Sequence, residues 1–216
     1  LFLKFSKRYL FILIKGQKNL EVFSIHPNHK KILWINISAP SLGDSLMDLS
    51  SRIMLKDKNV DLFTDIKNAH IYANDEFFNN IYTIEGEVKN HYYDLVILDS
   101  YSSRTVSIKS NILPTTSYVG MFGFFNGPEV NRTLFSFHQM NHLLAYPKSE
   151  EEINKISNNI ITISNKDKKI VREIIPKIYI TIVVGGEWKY KIYKKWGDLI
   201  EEIISGNEKI SIVLIG

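Results

Sequence analysis

The chain has 216 residues, of which 44% are hydrophobic; this supports a substantial core and excludes general disorder. It has no cysteine, which excludes disulfides, zinc–thiolate sites and a cysteine nucleophile, and fits a reducing compartment. Its net charge of +4 suits anionic ligands or an anionic membrane surface, and is too small and too dispersed to argue for nucleic acid.

In chain order, residues 1–20 mix aromatics with Lys4, Lys7, Arg8, Lys15 and Lys18. The apolar runs there are too short and interrupted to span a bilayer. The expectation is an amphipathic helix packed on the domain, with a helix lying on an anionic membrane as its rival. Apolar runs bounded by turn signals then predict buried strands at 32–37, 60–64, 70–73, 81–84, 93–98 and 117–120. Helical spacing predicts helices at 45–55, 101–110 and 131–145, with a short one at Phe77-Phe78. Strands alternating with helices argue for a parallel sheet of βαβ units. Residues 147–169 turn polar, and 151–163 reads as a connecting helix. A second unit then opens with a strand at 177–184, a turn at Gly185-Gly186-Glu187-Trp188, a helix at 194–205 and a strand at 209–215. The implied organisation is an extension over 1–30, a Rossmann-like domain over 31–146, a hinge over 147–176 and the start of a second Rossmann-like domain over 177–216. The chain opens at Leu1 and stops at Gly216 after an apolar run, so a piece of a longer protein is expected.

The stretch that carries most chemistry is Ser38-Ala39-Pro40-Ser41-Leu42-Gly43-Asp44-Ser45-Leu46. It joins a buried strand to a helix, and in open α/β sheets ligands bind beyond the carboxyl ends of the strands, where this turn would lie. A carboxylate there, Asp44, can serve as a general base. Its rival role is that of a helix N-cap. His26 and His29 flank Pro27-Asn28 and make no convincing metal site. The aromatic stretch 118–125 could stack on sugars, but a buried strand and turn is the better reading.

Two anchors carry a family resemblance. One is Ala39-Pro40-Ser41-Leu42-Gly43-Asp44 after the first strand; the other is Gly185-Gly186-Glu187-Trp188-Lys189-Tyr190-Lys191-Ile192-Tyr193. Between them lie Tyr93-Asp94-Leu95-Val96-Ile97 with Ser103-Arg104, and the stretch 117–123. In this order and spacing they resemble the lipopolysaccharide heptosyltransferases, glycosyltransferase family nine. The resemblance implies a GT-B-like α/β fold of two Rossmann-like domains with parallel sheets, the second incomplete in this chain. It implies inverting transfer of a heptose or hexose from a nucleotide-diphosphate donor to a lipopolysaccharide or lipooligosaccharide core acceptor, without a metal or other cofactor. It assigns Asp44 as the base, and Gly185, Gly186 and Lys191 to the donor diphosphate. Weaker candidates for the acceptor are Ser41, Gly43, Arg104 and His138. The implied location is cytoplasmic, with room for peripheral contact with the anionic inner face of the inner membrane.

The chain departs from the family at Asn36 and Ile192, where arginine is usual, and at Tyr193, where tryptophan is usual. The lysines Lys189, Lys191, Lys194 and Lys195 read equally as a solvated basic face. A degenerate or truncated non-catalytic relative that binds a nucleotide sugar or glycan is therefore the alternative. A nucleotide-sugar epimerase is a third option, but no pair of acid/base groups for it is visible.

Overall fold

The computed structural model describes residues 2–39, 41–123, 131–185, 193–207 and 209–215. The chain divides into two compact units, Leu1–Thr162 and Ile163–Gly216. The first begins with α1 (Phe2–Ile14) and continues through β1 (Lys31–Asn36), α2 (Leu42–Asp48), β2 (Asn59–Thr64), α3 (Ile66–Ala69) and β3 (Ile81–Tyr82). It ends with α4 (Glu85–Val88), β4 (Leu95–Leu98), α5 (Ser103–Ile112), β5 (Tyr118–Gly120), α6 (Arg132–Leu143) and α7 (Glu150–Ile156). The five strands are all parallel, in the order β3-β2-β1-β4-β5. Strand order reverses beside β1, which makes the β1/β4 boundary the topological switch point.

β1 forms because Ile32-Leu33-Trp34-Ile35 is apolar on both faces, as a central parallel strand requires. Its alternate residues feed two cores. Ile32 and Trp34 pack with Leu62, Ile97, Phe137 and Met140. Leu33 and Ile35 pack with Val96, Leu98, Val106, Ile112 and, from α1, Ile12. The N-terminal helix is thus seated on the domain by one face, as expected. At the amino end of the sheet, the Asp94 carboxylate accepts the Lys30 and Lys31 N–H groups at 2.9 and 2.8 Å, setting the start of β1 beside β4. Those bonds hold its carboxyl below the usual range.

Three expected elements fold differently. Residues 70–73 form a 3-10 turn (His70–Tyr72), not a strand, because Tyr72 swings inward. There its hydroxyl meets Ser45 Oγ at 3.0 Å and its ring packs edge-on against Phe78. Phe77-Phe78 lies in a turn, not a helix. The helix expected over 45–55 breaks after Asp48 into a 3-10 segment, Ser50–Leu55. Ser50 Oγ donates back to the Met47 carbonyl at 2.7 Å, and such local bonds compete with the regular helical ladder. The polar connector resolves into the short α7, capped by a reciprocal Ser149/Glu152 box, followed by irregular chain from 157.

The second unit holds α8 (Asn165–Ile174), β6 (Tyr179–Val183), α9 (Trp196–Gly206) and β7 (Ser211–Ile215). β6 and β7 are parallel neighbours, with α9 between them in sequence.

Gly120 ends β5 directly under the Tyr101 ring, where a Cβ would overlap ring carbons and the hydroxyl. Tyr101 is itself pinned through its hydroxyl to Glu21 and packs edge-on against Tyr118. Gly120→Ala is therefore expected to cost about 1–3 kcal/mol by overpacking, read as a lower urea midpoint with an unchanged m-value.

Candidate active site

Beyond the carboxyl ends of β1, β2 and β4 lies a cleft of about 640 Å³, within the first unit. Its lining includes Ser38 and Ala39 from the turn after β1, Asp44 and Asp48 from α2, and Asp65 and Lys67 beyond β2. Asp99, Ser100 and Ser102 follow β4, Arg104 begins α5, Phe122 follows β5, Arg132 begins α6 and Arg8 comes from α1.

The turn is built by side-chain chemistry. Asp99, directly after β4, is buried, and its Oδ2 accepts the Ile37 and Ser38 N–H groups at 2.8 and 2.6 Å. Thr105 Oγ1 donates to its Oδ1 at 2.9 Å. Burial pushes the Asp99 carboxyl above the usual range, and these donors oppose the shift. The acid therefore ties the end of β1 to the end of β4 and fixes where α2 starts. Ser41 is the N-cap of α2, accepting the Asp44 N–H at 3.3 Å. Asp44 is thus not the cap; it is the third helical residue, half-buried, with Ser41 Oγ donating to its Oδ2 at 2.7 Å.

The four lining carboxylates have different surroundings. Asp65 is paired with Arg104, which also donates to the Ile37 carbonyl at 3.1 Å. Asp48 is paired with Arg132, whose Nε donates to its Oδ1 at 2.7 Å. The Arg132 guanidinium also sits 4.7 Å from the centre of the Phe122 ring, which stacks on Phe135. Asp99 is bound to main-chain N–H groups, and Asp44 is held by a hydroxyl.

Asp48 lies one helical turn after Asp44, and burial pushes its carboxyl up to about 6. The Arg132 bond opposes that shift, while the charges of Asp99 and Asp44 add to it. From the ordinary carboxylate range up to pH 6, the folded chain retains a proton that the unfolded chain has released. The contribution of this group to stability therefore falls as pH rises through that window. Asp48→Asn removes the dependence. Relative to the parent, the variant should gain up to about 3 kcal/mol between about pH 4 and pH 7, measured by urea denaturation at each pH. A difference that stays flat across the window would contradict this placement of Asp48.

Among the residues singled out from sequence, Asp44 and Arg104 line the cleft. Ser41 does not line it and acts on the Asp44 carboxylate. Gly43 is exposed, and a Cβ there would meet nothing closer than Ser41 Oγ at 3.9 Å, so packing does not demand a glycine. His138 is half-exposed on α6 and is not a lining residue. Asn36 is buried at the end of β1, where its Oδ1 accepts from Ser45 Oγ at 2.9 Å. In the second unit, Gly185 is exposed after β6, whereas Gly186 and Lys191 lie outside the described residues. Tyr193 is half-exposed and meets the Trp196 ring edge-on at 5.1 Å.

No protein-family model and no curated protein sequence matches the chain. Solved structures do. The glycosyl transferase family 9 structure from Veillonella parvula DSM 2008 aligns over 88% of this chain with a TM-score of 0.64 at 13% identity. The fold is that of glycosyltransferase family 9. The E. coli heptosyltransferase WaaC solved with ADP aligns at TM-score 0.58 and 13% identity over 85% of the chain. E. coli ADP-heptose lps heptosyltransferase II aligns at TM-score 0.56 and 18% identity over 86% of the chain. This chain spans 64–67% of the length of those three structures.

Proposed function

We propose that this chain supplies the acceptor side of an inverting glycosyltransferase. The enzyme would move a heptose or hexose from a nucleotide-diphosphate donor to a hydroxyl of a lipopolysaccharide or lipooligosaccharide core. The observation that carries the reading is the state of Asp44. It lines the cleft at the switch point of a family-9 fold, and it is the lining carboxylate held by a hydroxyl instead of an arginine or the main chain. A carboxylate so placed can accept a proton from a bound sugar hydroxyl as that oxygen attacks.

In the proposed step the acceptor oxygen forms a bond to the anomeric carbon from the face opposite the leaving group. The bond from that carbon to the diphosphate oxygen breaks, and the hydroxyl proton passes to Asp44. The nucleoside diphosphate departs with its electron pair, and inversion follows from the single displacement. Its charge needs cations or backbone N–H groups. Gly185, Gly186 and Lys191 are the proposed source, and no metal is invoked. Ser41 is a positioning residue: its hydroxyl fixes the Asp44 rotamer. Arg104, locked on Asp65, presents the polar edge for acceptor sugars. The proposed location is cytoplasmic, with peripheral contact at the inner face of the inner membrane, where a lipopolysaccharide-core acceptor would be met.

The test is acceptor-dependent release of nucleoside diphosphate by the complete gene product, followed by ³¹P NMR with nucleotide sugars as donors. Release that needs both donor and acceptor supports the reading. Binding of both without release would assign the chain to the non-catalytic alternative.

A further inference from the structure

The N-terminal helix α1 is seated in an unusual way. Its inward side supplies Ile12 to the core, and Phe11 packs against that cluster. Its outward side carries Leu3, Leu10, Leu13 and Ile14, which are 84, 55, 45 and 70% exposed. Positions 3, 10, 13 and 14 fall on one stripe of an α-helix. A helix seated on a core ordinarily turns its polar side to water; this one turns leucine and isoleucine outward.

The charges around the stripe identify what it meets. Residues 1–20 carry Lys4, Lys7, Arg8, Lys15 and Lys18 and no acid. Lys18 is engaged by Glu21, and Lys15 lies 5.8 Å from the centre of the Phe11 ring. Lys4, Lys7 and Arg8 converge on one hollow of about 230 Å³, which they line with Phe11, Ser102 and Ser103. Helical geometry puts Lys7 directly beside the apolar stripe and the exposed Lys4 one step further round, whereas the half-buried Arg8 lies on the side that meets the core. An apolar stripe bordered by cations matches the boundary of an anionic bilayer, where acyl chains take the stripe and phosphates the cations. Among the described residues no helix is long and apolar enough to cross a membrane.

We propose that α1 docks this chain on an anionic lipid bilayer, lying in the interface with Leu3, Leu10, Leu13 and Ile14 among the acyl chains and Lys4 and Lys7 at the headgroups. The proposal deepens the transfer reading and rests on it for its purpose. Arg8 of the same helix lines the cleft from the side away from the stripe, so docking α1 holds the Asp44 site close to the surface that presents a glycolipid acceptor.

The test is sedimentation of the 216-residue chain with vesicles of phosphatidylglycerol and phosphatidylethanolamine, against vesicles of phosphatidylcholine alone. The chain should bind the anionic vesicles and lose that binding as salt is raised. The double variant Leu10→Ser with Ile14→Ser should bind at least about tenfold more weakly, with its circular dichroism unchanged. Lys4→Gln and Lys7→Gln should each weaken binding about fivefold. Equal sedimentation of variant and parent would overturn the proposal. So would no vesicle binding by the parent together with a dimer that dissolves in the Leu10/Ile14 variant, which would make a second copy the occupant. No sugar enters this assay, so its failure is separable from failure of the transfer reading. Conversely, Asp44→Asn should still sediment with vesicles.

Discussion

Replacing Asp44 with Asn should lower sugar transfer about a hundredfold to ten-thousandfold while leaving the chain folded, because a positioned general base contributes a factor of that size. Asparagine keeps the length of the side chain and can still accept from Ser41 Oγ, which now bonds Asp44 Oδ2 at 2.7 Å. The N–H at position 44 still reaches the Ser41 cap. What is lost is the capacity to take a proton. The loss should therefore fall on kcat, with KM for the acceptor little changed. Ser41→Ala gives a smaller and different defect, since it frees the Asp44 rotamer and removes the helix cap, a loss of about 1 kcal/mol. Full activity in Asp44→Asn would remove the base from the account.

The largest stability effect is expected at Arg52 and Asp75. Both side chains are almost wholly buried, and two guanidinium nitrogens donate to Asp75 Oδ2 at 2.9 and 2.6 Å. The remaining donors reach the Leu49 carbonyl at 3.0 Å and the Ile160 carbonyl at 2.6 Å, and Asp75 Oδ1 accepts the Phe77 N–H at 3.0 Å. The rings of Tyr72, Phe77 and Phe78 surround the guanidinium. Asp75→Ala leaves an arginine charge in that enclosure with no counter-ion, a situation that costs about 3–5 kcal/mol. That is a large share of the 5–15 kcal/mol that holds a typical domain together. By contrast, the exposed pair Lys169–Glu173, at 3.9 Å, should be worth under about 1 kcal/mol. Urea denaturation followed by tryptophan fluorescence separates the two cases. Arg52→Lys should also be strongly destabilising, because one ammonium cannot serve three separated acceptors. The cluster underpins the 3-10 segment that follows α2, so its loss should also slacken the helix that carries Asp44.

The sheet was readable because its strands are nearly continuous apolar runs, and burial on both faces demands such runs. The turn after β1 was readable because a strand, a glycine-containing loop and a helical pattern follow each other within a few residues. What escaped were contacts between residues far apart in sequence. Asp48 is marked only by standing four residues after Asp44, on the same side of a helix, and its partner Arg132 comes from α6. Asp99 is an acid directly following a buried strand, which is a usable signal for a carboxylate that gathers main-chain N–H groups. In sequence Arg104 is a candidate acceptor contact, and nothing local foretells its lock on Asp65. The outward apolar stripe of α1 was invisible for another reason. Periodicity shows that a helix is amphipathic, not which side meets the core. The 3-10 turn at 70–72 looked like a strand because a short apolar run has no period of its own, and the pull of Tyr72 toward Ser45 decided its shape.

A crystal structure of the chain with a core-oligosaccharide acceptor fragment decides whether Asp44 is the base. One acceptor hydroxyl should lie about 2.6–3.2 Å from the Asp44 carboxylate, in the cleft beyond β1 and β4. An acceptor seated elsewhere, or bound in the cleft with every hydroxyl beyond reach of Asp44, would contradict it.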